Sequence, residues 1–383
     1  MKATNRPAIK KEQAQQENPA SGFFSISSVQ VKAFRIPTVR PESDGTIEWD
    51  KTILVLVTVE AGDKMGIGYT YADTSTALFI KDNLIPQIIG RDPLDISGAW
   101  SIMVDSIRNI GRSGVASMAI SAVDNALWDL KARLLGLPLV KLLGAVHTGI
   151  EIYYSGGFTS YSLDELQKEF YEWTEKRVTK FKMKIGRDSA LDYERVKVVR
   201  DAIGDCNSLF IDANGAFTVN EAIYQAQRLS EFDIRWFEEP VSSDNLIGLK
   251  QVRDRAPFGM QIAAGEYGYD QYYFRRMLET QGVDVLQADA TRCAGITGFL
   301  QAATISEAFQ TKLSSHCAPA LHLHPACSVS NYIHAEYFFD HQRIEKLFFE
   351  GVQEPINGML YPDLSAEGNG LEVKWNDANN YLI

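Results

Sequence analysis

From residue 150 onward the chain repeats one texture: a short apolar, β-prone run, then an amphipathic stretch, then the next apolar run. The runs are EIYYS at 151, FKMKI at 181, LFIDA at 209, IRWFEE at 234, QIAAGE at 261, VDVLQAD at 283, KLSSH at 312 and KLFFEG at 346. They begin mostly near 28 residues apart, the length of a strand plus its return helix. Parallel strands need such crossovers, and eight of them close a sheet on itself. The pattern predicts a parallel eight-stranded barrel over residues 146–352 with helices outside.

The chain before the barrel reads differently. Residues 1–21 are polar and predict a mobile tail without the apolar core of a signal peptide. SISSVQVKAFRIP and KTILVLVTVEAGDKMGIGYTY predict strands, with the polar TVRPESDGTIEWD between them a loop. From Ser75 to Leu143 apolar residues recur at three-and-four spacing, so residues 22–145 predict an α+β domain. Residues 353–383 are glycine-rich and are expected to return across that first domain.

Charge placement carries the functional signal. Almost every predicted barrel strand ends in an ionisable residue: Lys182 and Lys184, Asp212 with Asn214, Glu238 and Glu239, Glu266, Asp289, His316. The C-terminal mouth is where barrels place chemistry. Asp212, Glu238 and Glu266, spaced by 26 and 28 residues, would crowd three anions on one arc. Singly each reads as a helix cap; together they call for a hard cation such as magnesium, with coordination positions left for substrate oxygens. Lys182 and Lys184 share one strand face, here the interior, and mutual repulsion would let one act as a neutral base. Asp289 beside His316 would fix the imidazole tautomer. His322, His324, His334 and His341 lack such a frame and read as structural. Strand alternation would turn Cys317 away from His316.

Other classes are excluded. A net charge of −11, with no basic run, speaks against nucleic acid and anionic lipid. Four cysteines without a CxxC pair read as reduced thiols, no apolar stretch approaches a membrane span, and a cytoplasmic protein is expected. Gly66-Ile67-Gly68 lacks the third glycine of a dinucleotide site, and no GK[ST] is present.

The segments ALWDLKARLLGLPLVKLLG, FKMKIG, FIDANG, WFEEP, AAGE, QADATRCAGIT, SSHCAP and PDLSAEGNGLEVKW together resemble the enolase superfamily, specifically its mandelate racemase subgroup. The resemblance implies a modified TIM barrel, (β/α)7β, under an N-terminal α+β capping domain, in a homo-oligomer. It implies magnesium on Asp212, Glu238 and Glu266, Lys184 as one base, and His316 with Asp289 as the other. Lys182 would contact the substrate carboxylate, and Glu336 would donate a hydrogen bond to it, with Glu350 a competing match.

Such a set removes the proton alpha to a carboxylate, a step these enzymes perform with Lys or His bases and magnesium. Where a beta hydroxyl is present, His316 would protonate it as it leaves. Elimination of water from an aldonate or aldarate, giving a 2-keto-3-deoxy acid, is the preferred reading. It rests on the polar loops holding Arg40, Glu42, Ser43, Glu48, Tyr69, Thr70, Tyr71 and Asp73, among which Arg40 and Tyr71 are expected to bind substrate, as is Asn214. Arg40 and Arg112 are candidates for its far end. The alternatives are a racemase or epimerase of a 2-hydroxy acid and a catalytically silent barrel; the intact residue set speaks against the latter.

Overall fold

The computed structural model describes residues 24–383; the expected tail lies outside them. A three-stranded antiparallel sheet comes first: β1 (Ile26–Ser43), β2 (Glu48–Ala61) and β3 (Lys64–Tyr71). Two longer helices follow, α1 (Ile96–Ser106) and α2 (Val115–Leu134). One sheet face, with Val55, Val57 and Val59, packs with Ile120, Val123 and Leu127 of α2 into a core separate from the barrel's. Strand β3 lies so close to α2 that a Cβ at Gly66 or Gly68 would fall 2.3 and 2.2 Å from helix carbonyl oxygens. Those glycines serve packing and not phosphate binding.

The barrel is closed by eight parallel strands: β4 (Ile150–Gly156), β5 (Lys180–Lys184), β6 (Ser208–Asp212), β7 (Ile234–Glu238), β8 (Gln261–Ala264), β9 (Val285–Ala288), β10 (Lys312–Ser315) and β11 (Tyr332–Phe338). Each pairs with the next, and β11 pairs back with β4 through Glu336 and Tyr153. Seven crossover helices join them, including α3 (Leu163–Glu175), whose first turn has a Ser162–Glu165 capping box, and α4 (Gly295–Ala308). A further helix, α5 (Phe339–Phe348), follows the last strand. Tyr153, Phe210 and Trp236 fill the lower interior together with His334. Phe181 and Met183 point outward to the helices, as period-two alternation requires once Lys182 and Lys184 point in.

Two expectations are corrected. The eighth strand is YIHAEYF, not KLFFEG, which forms the end of α5 and a short strand outside the barrel. YIHAEYF points His334 and Glu336 inward, so it reads as more polar than the apolar KLFFEG. Nor is TVRPESDGTIEWD a loop: β1 and β2 run on through it, pairing Glu42 with Trp49 and Ser43 with Glu48. The turn is confined to residues 44–47, where Asp44 Oδ1 accepts from Thr46 N, Ile47 N and Thr46 Oγ1.

The hairpin tip is seated on the barrel mouth. Thr159 N donates to Ser43 O at 2.8 Å, and Ser160 Oγ to Pro41 O at 3.0 Å. A Cβ on Gly45 would meet Ala213 O at 2.4 Å and Ile185 O at 2.8 Å, so only glycine permits this approach. On the opposite flank α2 closes the start of α4: Gly295 N donates to Ser121 Oγ, Ile296 N to Asn125 Oδ1 and Thr297 N to Asp124 Oδ2, all at 2.9–3.0 Å. Three amides that a helix start leaves open are thus satisfied by the other domain. The C-terminal segment adds Met359–Leu360 to the edge of β4, then reaches the first domain, where Asp129 Oδ1 accepts from Asn369 N and Ala33 O from Ile383 N.

Candidate active site

The strand register builds the site. Lys184 pairs alongside Asp212, and Asp212 alongside Glu238, on three successive strands whose inward faces carry these side chains. Lys184 Nζ donates to Asp212 Oδ2 at 2.5 Å; Lys182 Nζ lies 2.6 Å from Glu238 Oε1, 2.8 Å from Glu336 Oε1 and 3.3 Å from Asp212 Oδ2. Asp212, Glu238 and Glu266 bring one oxygen each within 4.8 Å of one another. Glu239 does not join them and lines a neighbouring pocket.

His316 follows β10. Its Nδ1–H donates to Asp289 Oδ2 at 2.8 Å, since a carboxylate can only accept, leaving Nε2 toward Glu266 Oε2 at 3.3 Å. Burial alone would lower its pKa, but Glu266 and the Asp289 bond outweigh this and hold it above the usual imidazole value. Above these groups opens a cavity of about 170 Å³. Lys184, Asn214, Glu266, His316 and Glu336 line its floor; Asp44, Ile47, Trp49 and Thr52 of the hairpin, with Phe338 and His341, line its outer wall.

The carboxylate trio fits a hard divalent cation. Burial and then Asp212 push Glu238 up to about 8, so the three resist sharing charge unaided. Buried Glu266 Oε2 has no hydrogen-bond partner among the described residues. Three carboxylate oxygens on one arc, open to a cavity on one side, are the donor set magnesium takes.

Several expectations change. Neither lysine is a neutral base here: burial lowers both, but the facing carboxylates prevail and hold both above the ordinary lysine value. Glu336, expected to donate, is held well below the carboxylate range because Lys182 outweighs its burial; it accepts from Cys317 N at 2.8 Å. Glu350 pairs in the strand outside the barrel and competes for nothing. Cys317 Sγ lies 3.3 Å from His316 Nε2. Both residues are past the end of β10 and Cys317 has φ +50°, so alternation does not separate them. Burial pushes its thiol well up, which leaves it a poor nucleophile.

The polar loop side chains are largely spent elsewhere. Arg40 pairs with Glu165 over the Tyr161 ring, outside the cavity. Tyr71 stacks behind His341 at 3.5 Å between centroids and does not line the cavity, and neither does Arg112, which stacks on Trp100. Glu42 accepts from Trp49, Ser43 faces Thr159, Tyr69 donates to Glu345 and Thr70 to Thr291 O. His322, His324 and His334 bond Ala290 N, Val140 N and Ser314 respectively, as structural residues do. His341 differs, since it lines the cavity. Arg292 and Tyr267 also line it unforeseen. Arg292 stands three residues past Asp289, so the strand-end rule that found its neighbours would have found it too.

Residues 29–144 match the mandelate racemase / muconate lactonizing enzyme N-terminal domain family, and residues 165–378 the enolase C-terminal domain-like family. The chain belongs to the enolase superfamily, in its mandelate racemase subgroup. It is 31% identical to the L-talarate/galactarate dehydratase of Salmonella typhimurium over 78% of each chain. Among solved structures it resembles a mandelate racemase/muconate lactonizing enzyme-like protein from Rubrobacter xylanophilus, with TM-score 0.92, 45% identity, and 94% of this chain and 100% of that one covered. A racemase from Streptomyces coelicolor with bound magnesium matches at TM-score 0.88 and 28% identity over the same shares. Homologues in this group are dehydratases, cycloisomerases and racemases, and this protein is an enzyme of the same superfamily.

Proposed function

We propose that the protein, with magnesium as cofactor, removes the proton alpha to a carboxylate and eliminates water from an acid sugar to give a 2-keto-3-deoxy acid. One observation carries the reading: Lys184, His316 and Glu336 line a single cavity, with Lys182 paired to Glu336 and three carboxylates able to hold the metal beside them. Magnesium on Asp212, Glu238 and Glu266 supplies the positive charge that offsets this trio and the charge growing on the substrate carboxylate.

Lys182 binds that carboxylate by charge, and Asn214 meets the alpha substituent. With Asp212 turned to the metal, Lys184 would lose the carboxylate that holds its proton, and in its neutral form it takes the alpha proton. The carbon–hydrogen electron pair becomes the new double bond as the beta carbon–oxygen bond breaks. His316, oriented by Asp289, gives its proton to the departing hydroxyl, which leaves as water; the enol then tautomerises to the keto acid. The name of the dehydratase relative supports elimination over its alternative. Racemisation of a 2-hydroxy acid is the second reading, favoured by Ile47, Trp49 and Phe338, an apolar wall suited to an apolar substituent. Aldonic, aldaric and simple 2-hydroxy acids incubated with magnesium, and assayed for 2-keto acid and for optical inversion, decide the matter. Keto-acid formation is expected; inversion alone would replace elimination by racemisation.

A further inference from the structure

The outer wall of the cavity determines what the far end of a substrate can be. Of its polar groups, Trp49 Nε1 is spent on Glu42 at 3.0 Å and Thr52 Oγ1 on Asp340 at 2.5 Å. Asp44 contributes a carboxylate, buried and fixed by the turn it caps. Ile47 and Phe338 contribute carbon. That leaves His341. Its Nδ1 accepts from Ala318 N at 3.4 Å, which places the hydrogen of the neutral ring on Nε2. Nε2 has no protein partner among the described residues. Burial lowers the pKa of this ring to about 3, with His316 adding to the effect, so it stays uncharged. Tyr71 stacks flat on it, ring planes 14° apart, and fixes its orientation.

Cations that could meet a second carboxylate are engaged. Arg292 Nη1 donates to Glu266 Oε1 at 3.1 Å, so its charge is already offset by that carboxylate and by Asp289 at 3.8 Å, and Lys184 is bound to Asp212. Arg40, which the loop sequence offered, faces Glu165 outside the cavity. A second anion would therefore meet the Asp44 carboxylate and have to compete with Glu266 and Asp289 for Arg292, and a charge desolvated without a partner of its own is costly. The volume, about 170 Å³, also falls below the roughly 300–1,000 Å³ of drug-sized sites.

We propose that the site takes an acid with one carboxylate, whose uncharged far end receives a hydrogen bond from His341 Nε2–H, and that it rejects dicarboxylic acids. The proposal rests on the alpha-proton chemistry above and holds for either outcome of that reaction. Its test uses acids paired to differ in the second carboxylate: gluconate with glucarate, galactonate with galactarate, and 2,4-dihydroxybutanoate with malate. Each is titrated into the magnesium-loaded enzyme by calorimetry and assayed for dehydration and for alpha-proton exchange in heavy water. The monocarboxylate of at least one pair should bind tenfold or more tighter than its partner. If only the 2,4-dihydroxybutanoate pair reacts, elimination falls and this inference stands, because the 4-hydroxyl can accept from His341. Equal binding, tighter binding by the diacids, or no binding by any pair overturns it. His341→Phe, which keeps the stack on Tyr71, should raise KM about tenfold for the preferred acid with little change in kcat. His341→Gln, which restores a donor, should recover most of that loss. A KM unmoved in both variants overturns the role of His341.

Discussion

Removing one of the two bases should leave the other's chemistry readable. His316→Asn should abolish dehydration, because hydroxide leaves slowly at neutral pH without a donor, while Lys184 still exchanges an alpha proton on its own side. Lys184→Met should silence that exchange and spare exchange by His316 on the opposite epimer. Proton NMR in heavy water with both epimers checks the pair, and identical patterns would mean the two groups do not face each other. Glu238→Gln should weaken magnesium binding at least tenfold by calorimetry, since a neutral amide replaces one of three anions. These residues were legible because a strand end fixes where a side chain goes. Arg40 and Tyr71 were not, because composition shows that a segment is polar but not which partner consumes each group. Glu165 and His341 lie 125 and 270 positions away along the chain.

At the level of elements, the hairpin of β1 and β2 controls access. Gly45→Ala would force its tip off Ala213 O and Ile185 O, and should raise KM severalfold with only a small change in Tm. Glu42 gives the hairpin a pH dependence. It is buried beside Asp340, Oε1 has no partner among the described residues, and its pKa is pushed up to about 8, first by burial and then by Asp340. Below the ordinary carboxylate range the folded and unfolded states both hold its proton. As pH rises to and through about 8 the unfolded state gives it up first, so this contribution to stability is progressively lost. Glu42→Gln should flatten that part of the Tm-against-pH curve between pH 5 and 9; an unaltered slope would assign it to other buried acids such as Glu345. The hairpin was hidden in the sequence because Pro37, Pro41 and Gly45 punctuate it as a loop would. Its extended pairing is decided by the barrel beneath.

For the molecule as a whole, the two domains and the C-terminal segment behave as one unit. Asp129, fully buried, accepts from Ile67 N of β3, from Arg133 Nε on its own helix and from Asn369 N near the chain's end. Asp129→Ala should cost about 3–5 kcal/mol, as loss of one member of a buried ion pair does. In calorimetry that is about 4–6 °C in Tm for a chain of this size. A shift under 2 °C would show that water replaces the carboxylate. The joint at the start of α4 has a bearing on how such enzymes can be rebuilt. Ser121, Asp124 and Asn125 belong to the domain that carries the hairpin, yet the amides they satisfy belong to the barrel. A chimaera grafting another relative's specificity domain onto this barrel must therefore bring matching acceptors at those three sites, or it will expose an unfinished helix beside the Asp289 loop. Exchanging only residues 38–52 leaves those three acceptors in place, and a new substrate can be sought there provided Gly45 and the barrel contacts of Arg40, Ser43 and Thr52 are kept.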